Sequence, residues 1–288
     1  MQTEWHRIFT SWFVRSSHGN TSGVSIGDFS RLECVVSPYL SMRNIDKWAP
    51  SKYVYKGDKL IASRDPHEVG IGSRLVCDRI AACYDRHIKT YARGRLVDLG
   101  CGTVPLFASY RNYVDSSTCA DWGNPSHQSN YLDLQCDLSS PLPFRDRKFD
   151  TVILSDVLEH IFRPENLWNE MARILSSNGK VLMTVPFYYW LHEEPYDYYR
   201  YTEFALIRFA EMAGFRVVVL ERLGGVPEIV ADIFAKAFLY VPRLGTMLSA
   251  SVQRMTTLFV RTPVGARISR ATSGSFPLGY FVVAEKCG

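Results

Sequence analysis

A handful of acids, two histidines and one arginine stand where they could do chemistry. Asp98, Asp121, Asp137 and Asp156 each fall at or near the carboxyl end of a short apolar run. His160 and His192 carry a side chain whose ordinary pKa suits taking a proton near neutral pH. His192 shares its stretch with Asp197 and Arg200, an acid/base pair and an anion contact in one loop. No Asp and His set shows metal-ligand spacing. The seven cysteines are scattered without a Cys-x-x-Cys. Neither a metal site nor a disulfide framework is therefore expected.

The acid beside Gly100-Cys101-Gly102 restricts the ligand. Two glycines one residue apart let backbone approach a bound molecule closely. A phosphate cradle is disfavoured by Asp98 just ahead of the turn. The third glycine of a dinucleotide fingerprint is Pro105 here, and the Gly-Lys-Ser/Thr ending of a P-loop is absent. A carboxylate in this place suits a cationic ligand. Asp121 lies 19 residues after Gly102, where a second strand would end in a ligand crevice and a carboxylate could accept both ribose hydroxyls. Trp122 follows it, as a cover for a flat base or as a plain surface aromatic.

These residues need strands to carry them. The pattern predicts strands over 95–99, 117–121, 131–138, 149–156, 180–186, 215–220 and 276–284. The 149–156 run is continuously apolar, as for a parallel strand buried on both faces. Helices are predicted over 68–91, where Ile71, Leu75, Ile80, Tyr84 and Ile88 form a stripe, from Pro164 to an Asn178-Gly179 cap, and from Thr202 to Ala213-Gly214.

Val97-Asp98-Leu99-Gly100-Cys101-Gly102-Thr103 resembles motif I of the class I S-adenosylmethionine-dependent methyltransferases, with Val104 where that family usually has a third glycine. Asp137-Leu138 followed by Leu142-Pro143-Phe144 resembles its base-pocket signature. Leu158-Glu159-His160 resembles the segment after its fourth strand. The resemblance covers roughly residues 95–220. It implies an α/β, Rossmann-like fold: a seven-stranded, mostly parallel sheet with helices on both faces and an antiparallel last strand. It implies S-adenosylmethionine as cofactor, held by Asp98, Gly100, Cys101, Gly102, Asp121, Trp122, Asp137, Leu138 and Ser155. His192, then His160, with Asp156 at the same edge, are the catalytic candidates.

The stretch 187–202 should choose the acceptor, because seven of its sixteen residues are Tyr or Trp. Such side chains offer flat apolar area with a polar edge, which suits sugar rings. Tyr189, Tyr196, Asp197 and Arg200 are the substrate-binding candidates. The run His-Glu-x-Pro-x-Asp-x-x-Arg-x-Thr, from His192 to Thr202, resembles loops of bacterial methyltransferases associated with surface-polysaccharide genes. An O-methylated sugar or glycan acceptor is the expectation. A lipid or quinone-like acceptor and a non-catalytic binding subunit stand as alternatives.

At 288 residues and 47% hydrophobic, the chain can fill a full core. The divisions expected are a cap or lid over 1–66, a core over 67–222, an apolar basic helical insert over 223–272 and a last core strand over 273–288. The stretch 233–284 holds six Lys or Arg and no acid. That composition fits a helix pair on an anionic membrane surface, or one docked on the core or on a second copy of the chain in a homodimer. No nucleic-acid motif accompanies the basic residues. With no leader-like start and no long apolar run, a cytoplasmic protein is expected; the acid-free stretch 5–27 faintly resembles a transit peptide.

Overall fold

The structure, a computed structural model, describes residues 42–123 and 130–288. Expectations that fall on residues 1–41, including most of the lid and the transit-like stretch, lie outside the described residues.

The order of elements is β1 (Tyr53–Lys56), β2 (Lys59–Ala62), α1 (Arg74–Tyr91), β3 (Arg95–Leu99), α2 (Phe107–Tyr110), β4 (Ser116–Asp121), β5 (Leu134–Gln135), β6 (Phe149–Ser155), α3 (Pro164–Ile174), β7 (Leu175–Pro186), α4 (Glu203–Met212), β8 (Phe215–Leu223), α5 (Val226–Phe238), α6 (Gly245–Phe259), α7 (Pro263–Thr272) and β9 (Gly279–Lys286). β1 and β2 form a separate antiparallel hairpin, while the main sheet runs β5-β4-β3-β6-β7-β9-β8. Its first five strands are parallel, and β9 lies antiparallel between β7 and β8. This is the seven-stranded, mostly parallel Rossmann-like sheet with an antiparallel last strand.

Side chains alternate across the strands, so each strand feeds two cores. Leu96, Ile153, Leu182 and Phe281 face the core that α1 fills with Val76, Ile80, Tyr84 and Ile88. Val97, Val152, Val181 and Val282 face the other, filled by Leu167, Trp168 and Met171 of α3 and Leu206 of α4. Thr202 caps α4 by accepting the Ala205 N–H at 3.3 Å, which relieves one of the unpaired donors of a helix start.

Three expectations are corrected. Asn178-Gly179 does not end a helix. α3 stops at Ile174, and both residues lie inside β7, with Asn178 at φ 61°. Residue Leu175 already pairs with Phe149, so sheet pairing overrides the local turn signal. The third strand shrinks to Leu134–Gln135. The helix predicted from residue 68 begins as a 3₁₀ turn at Ile71–Ser73 and turns α-helical at Arg74.

The stretch after β8 forms α5, α6 and α7, and one face of the group is fastened to α1. Buried Gln253 of α6 accepts the Leu75 N–H at 2.8 Å and donates to the Ile71 carbonyl at 2.5 Å. It thereby satisfies a donor at the start of α1. Glu228 of α5, fully buried, accepts from Arg79 at 2.6 Å and from Ser269 of α7 at 2.8 Å. Among the described residues no helix is long and apolar enough to cross a membrane.

Candidate active site

The carboxyl ends of the parallel strands open into a cleft of about 750 Å³, in the size range of small-molecule sites. Register explains its floor. Leu99 of β3 pairs with Ala120 of β4, which sets the glycine turn beside Asp121. Ser155 of β6 pairs with Thr184 of β7, so the segments after β6 and β7 share one edge.

Gly100 and Gly102 have φ of 71° and 49°. A Cβ on Gly100 would lie 2.4 Å from Val157, whereas one on Gly102 would meet nothing within 4 Å. Gly100 is thus required by packing, and Gly102 leaves backbone bare toward the cleft. Val104 has φ 54° and is fully buried, so it keeps the left-handed backbone that a glycine would take without strain. Cys101 is buried, with its thiol pKa raised by its hydrogen bond to Cys119 and by burial.

Asp121 accepts the Gly102 N–H at 2.7 Å and the Trp122 N–H at 2.8 Å. Its carboxylate is thereby fixed at the strand end. Asp98 is 4% exposed; burial first and the nearby Asp121 charge second push its carboxyl up to about 8. Trp122 meets Tyr196 edge to face at 5.0 Å. Leu138 is buried in the same wall. Asp137 lines the cleft, and its oxygens accept from Ser139 N–H at 2.8 Å and the Ser140 hydroxyl at 3.1 Å, holding its own turn. Ser155 faces the cleft and shares a 3.2 Å hydrogen bond with Thr184.

The opposite wall comes from the two segments after β6 and β7. Asp156, at φ 55°, pairs with Lys52 at 3.2 Å. Next to it, Glu159 is fully buried, and neither carboxylate oxygen has a hydrogen-bond partner. His160 and His192 flank that carboxylate, each with Nε2 3.7 Å from Glu159 Oε1. Their rings meet edge to face at 4.8 Å. Burial raises the Glu159 pKa. Burial opposes charge on His192, but Glu159 and Asp197 outweigh it and hold this imidazole above its ordinary value.

Asp197 and Arg200 do not line the cleft. Asp197, its side chain 2% exposed, accepts from Arg200 at 2.5 and 2.7 Å and from the His192 N–H at 2.9 Å. Burial alone would raise its pKa, but these donors, Arg200 first, hold it down at about 2. Arg200 also donates to the Trp190 and Tyr199 carbonyls. The pair braces the loop. Tyr189 and Tyr196 do face the cleft. The Tyr189 hydroxyl bonds Ser73 at 2.9 Å, and the Lys236 ammonium of α5 sits 3.6 Å over its ring. Burial pushes its phenol up to about 12. Tyr201 donates to the Leu158 carbonyl at 3.0 Å, so part of the aromatic run is fastening rather than recognition.

Sequence reasoning passed over Glu159, although it stands inside the Leu-Glu-His run, and Lys52, which precedes the strands. It also passed over Ser51, whose hydroxyl meets Thr103 at 2.9 Å, while Trp48, an aromatic of the expected cap segment, donates its indole N–H to the Val104 carbonyl at 3.2 Å. The segment at 48–52 thus lies against the glycine turn.

Residues 97–183 match the sequence model of the family described as "Methyltransferase domain". No curated protein matches the chain. Among solved structures, a SAM-dependent methyltransferase from Archaeoglobus fulgidus aligns with a TM-score of 0.50 at 17% identity, covering 74% of this chain and 97% of that one. An S-adenosylmethionine-dependent methyltransferase from Mesorhizobium loti aligns with a TM-score of 0.45 at 16% identity, covering 74% and 100%. The family match lies within β3–β7, the stretch that carries the glycine turn and the strand ends of the cleft.

Proposed function

We propose that the chain transfers the methyl group of S-adenosylmethionine to an oxygen of a polyhydroxylated acceptor, a sugar or glycan in the first instance. One observation carries the reading: a single cleft has the acid-flanked glycine turn on one wall and paired imidazoles on the other. The residues present fit the cofactor. Asp121, fixed by two backbone N–H groups at the end of β4, stands where a carboxylate would accept ribose hydroxyls. The bare backbone at Gly102 allows close approach, Trp122 and Leu138 flank a flat base, with Asp137 at its edge, and buried Asp98 suits an adjacent positive charge. When bound, S-adenosylmethionine supplies a methyl carbon activated by a positive sulfur.

The chain's own work is alignment and proton handling. Tyr189 and Tyr196 line the cleft, which supports the sugar reading together with the resemblance of the His192–Thr202 run. The acceptor hydroxyl lies against the Glu159–His160–His192 group, which promotes loss of its proton. Arg200 and Asp197 hold His192 in place.

A lipid or quinone-like acceptor is the second reading. Its support is the outer face of α5–α7, where Ile233, Phe234, Met247, Met255 and Leu258 are exposed beside Arg243, Arg254 and Arg261. That face would rest on an anionic membrane, with a second copy of the chain as the competing cover.

The test is calorimetric titration with S-adenosylmethionine, run beside Asp121→Ala, followed by a labelled-methyl screen of glycans and lipids. Micromolar binding weakened about 100-fold in the variant, two charge-assisted hydrogen bonds being lost, and label on a glycan are expected. No binding by the folded protein refutes the reading. Binding with no turnover on any acceptor makes the chain a binding subunit.

A further inference from the structure

Glu159, His160 and His192 present three ligand atoms within 4.8 Å of one another. Both imidazoles have Nδ1 turned to an acceptor. That of His160 lies 2.9 Å from the Tyr196 carbonyl, and that of His192 lies 3.2 Å from Asp197 Oδ2. Nδ1 therefore carries the proton in each neutral ring, which leaves a bare lone pair on Nε2. Both Nε2 atoms lie 3.7 Å from one buried carboxylate oxygen that has no hydrogen-bond partner. Three electron-rich atoms, one of them on a fully buried carboxylate, converge at the cleft wall and call for a positive charge between them. At 3.7 Å the separations are too long for a proton to bridge.

We infer that this group is a divalent metal site of the His₂Glu type, with zinc as the cation its donor set suits best. Tetrahedral bonds to zinc of about 2.0–2.1 Å place neighbouring ligand atoms roughly 3.3 Å apart. The two Glu159–His separations therefore need to close by only a fraction of an ångström, and the two imidazoles by more. The outer partners are already built. A ligating histidine ordinarily donates its other N–H to a carboxylate or a carbonyl, and Asp197 and the Tyr196 carbonyl stand in those places. Arg200 fixes Asp197 in turn, which accounts for a buried ion pair that touches no part of the cleft.

All three ligands line the cleft, so a metal held by them would be within reach of the acceptor. The catalytic part of the inference rests on the methyl-transfer reading above; the site itself does not. An acceptor hydroxyl on the metal loses its proton to solvent, as metal-bound water does near neutral pH. Its oxygen then forms the bond to the methyl carbon as the carbon–sulfur bond breaks. The methylated oxygen and a neutral thioether leave, and the metal keeps its oxidation state.

The experiment titrates chelator-treated full-length protein with Zn²⁺ alone, and with Co²⁺ for its visible ligand-field bands. Glu159→Gln, His160→Ala and His192→Ala are measured alongside, with circular dichroism and melting as the check on folding. One equivalent of zinc, at least 100-fold weaker in each folded variant, is expected. Asp197→Asn should lose about 10–100-fold, the usual effect of removing an outer partner. Zinc binding that is absent, or that survives the three ligand variants, overturns the site. Asp121→Ala separates the two readings: it should lose the nucleoside ligand and keep the metal. If metal binds as described but chelated and loaded proteins methylate the same acceptor equally, the catalytic part is overturned.

Discussion

Asp98 offers the sharpest test of the cofactor assignment. Its carboxyl is pushed up to about 8 by burial and by Asp121. At pH 7 about nine-tenths of it then carries a proton, against almost none in the unfolded chain, where an aspartate titrates near 4. Across that window the unliganded fold binds a proton that the unfolded chain has lost, so its stability falls as pH rises from about 4 to 8. A cation bound beside Asp98 reverses the preference and expels the proton. If the bound carboxylate is fully ionised, linkage gives about a 50-fold gain in affinity between pH 6 and pH 8 from this group. Calorimetry in two buffers of different ionisation enthalpy counts the proton directly, about 0.9 released per ligand at pH 7 on the same reasoning. The amine of the ligand titrates too, so the quantity to compare is wild type minus Asp98→Asn. Asp121→Ala should also move the midpoint down, since its charge is part of the cause. Equal pH profiles for wild type and Asp98→Asn would show that no cation sits beside this carboxyl.

Further outcomes follow from the packing and from the outer face of α5–α7. Arg200→Ala leaves the buried Asp197 carboxylate with the His192 donors alone and should cost about 3 kcal/mol in urea unfolding; no loss would mean that the loop is braced elsewhere. The same carboxylate, held at about 2, stabilises the fold above its unfolded pKa near 4 and loses that contribution as pH falls toward 2. Val104→Gly removes roughly 1–3 kcal/mol of left-handed strain and a buried side chain of similar worth, so stability should stay within about 1 kcal/mol of wild type. Val104→Ala gives up the packing and keeps most of the strain, and should fall by about 1–2 kcal/mol. Sedimentation with anionic vesicles tests the α5–α7 face: reversing Arg254 and Arg261 should weaken binding at least 10-fold at roughly 1 kcal/mol per charge. A dimer in light scattering with no vesicle binding would assign the face to a second copy of the chain.

The strands and the glycine turn were legible because a buried parallel strand writes itself as an apolar run, and because a turn at positive φ needs glycine at Gly100. Asn178-Gly179 misled because turn chemistry is local while the Phe149–Leu175 pairing is not. The wall opposite the cofactor loop was only half legible. Glu159 and His192 are 33 residues apart in the chain, and only the adjacency of β6 and β7 brings them together. Asp197 and Arg200 could be read either as recognition or as a brace for the loop, because charge in a loop says nothing of which way it faces; the burial of Asp197 against Arg200 shows a brace. Lys52 and Trp48 lie in a stretch without periodicity, so nothing local marked them as neighbours of Asp156 and Val104.

The place of β9 has a consequence for synthesis. It is an inner strand, bonded to β7 on one side and β8 on the other, yet 55 residues separate it from the end of β8. On a ribosome adding about 5–20 residues per second, β8 would wait roughly 3–11 seconds, and β7 roughly 5–18 seconds, before their shared partner emerges. During that interval each has an open, aggregation-prone edge. The helices α5–α7 are made in the meantime, and α6 can already reach the start of α1 through Gln253. A nascent chain stalled before residue 279 should therefore be protease-sensitive at β8 while its β3–β6 half is already protected.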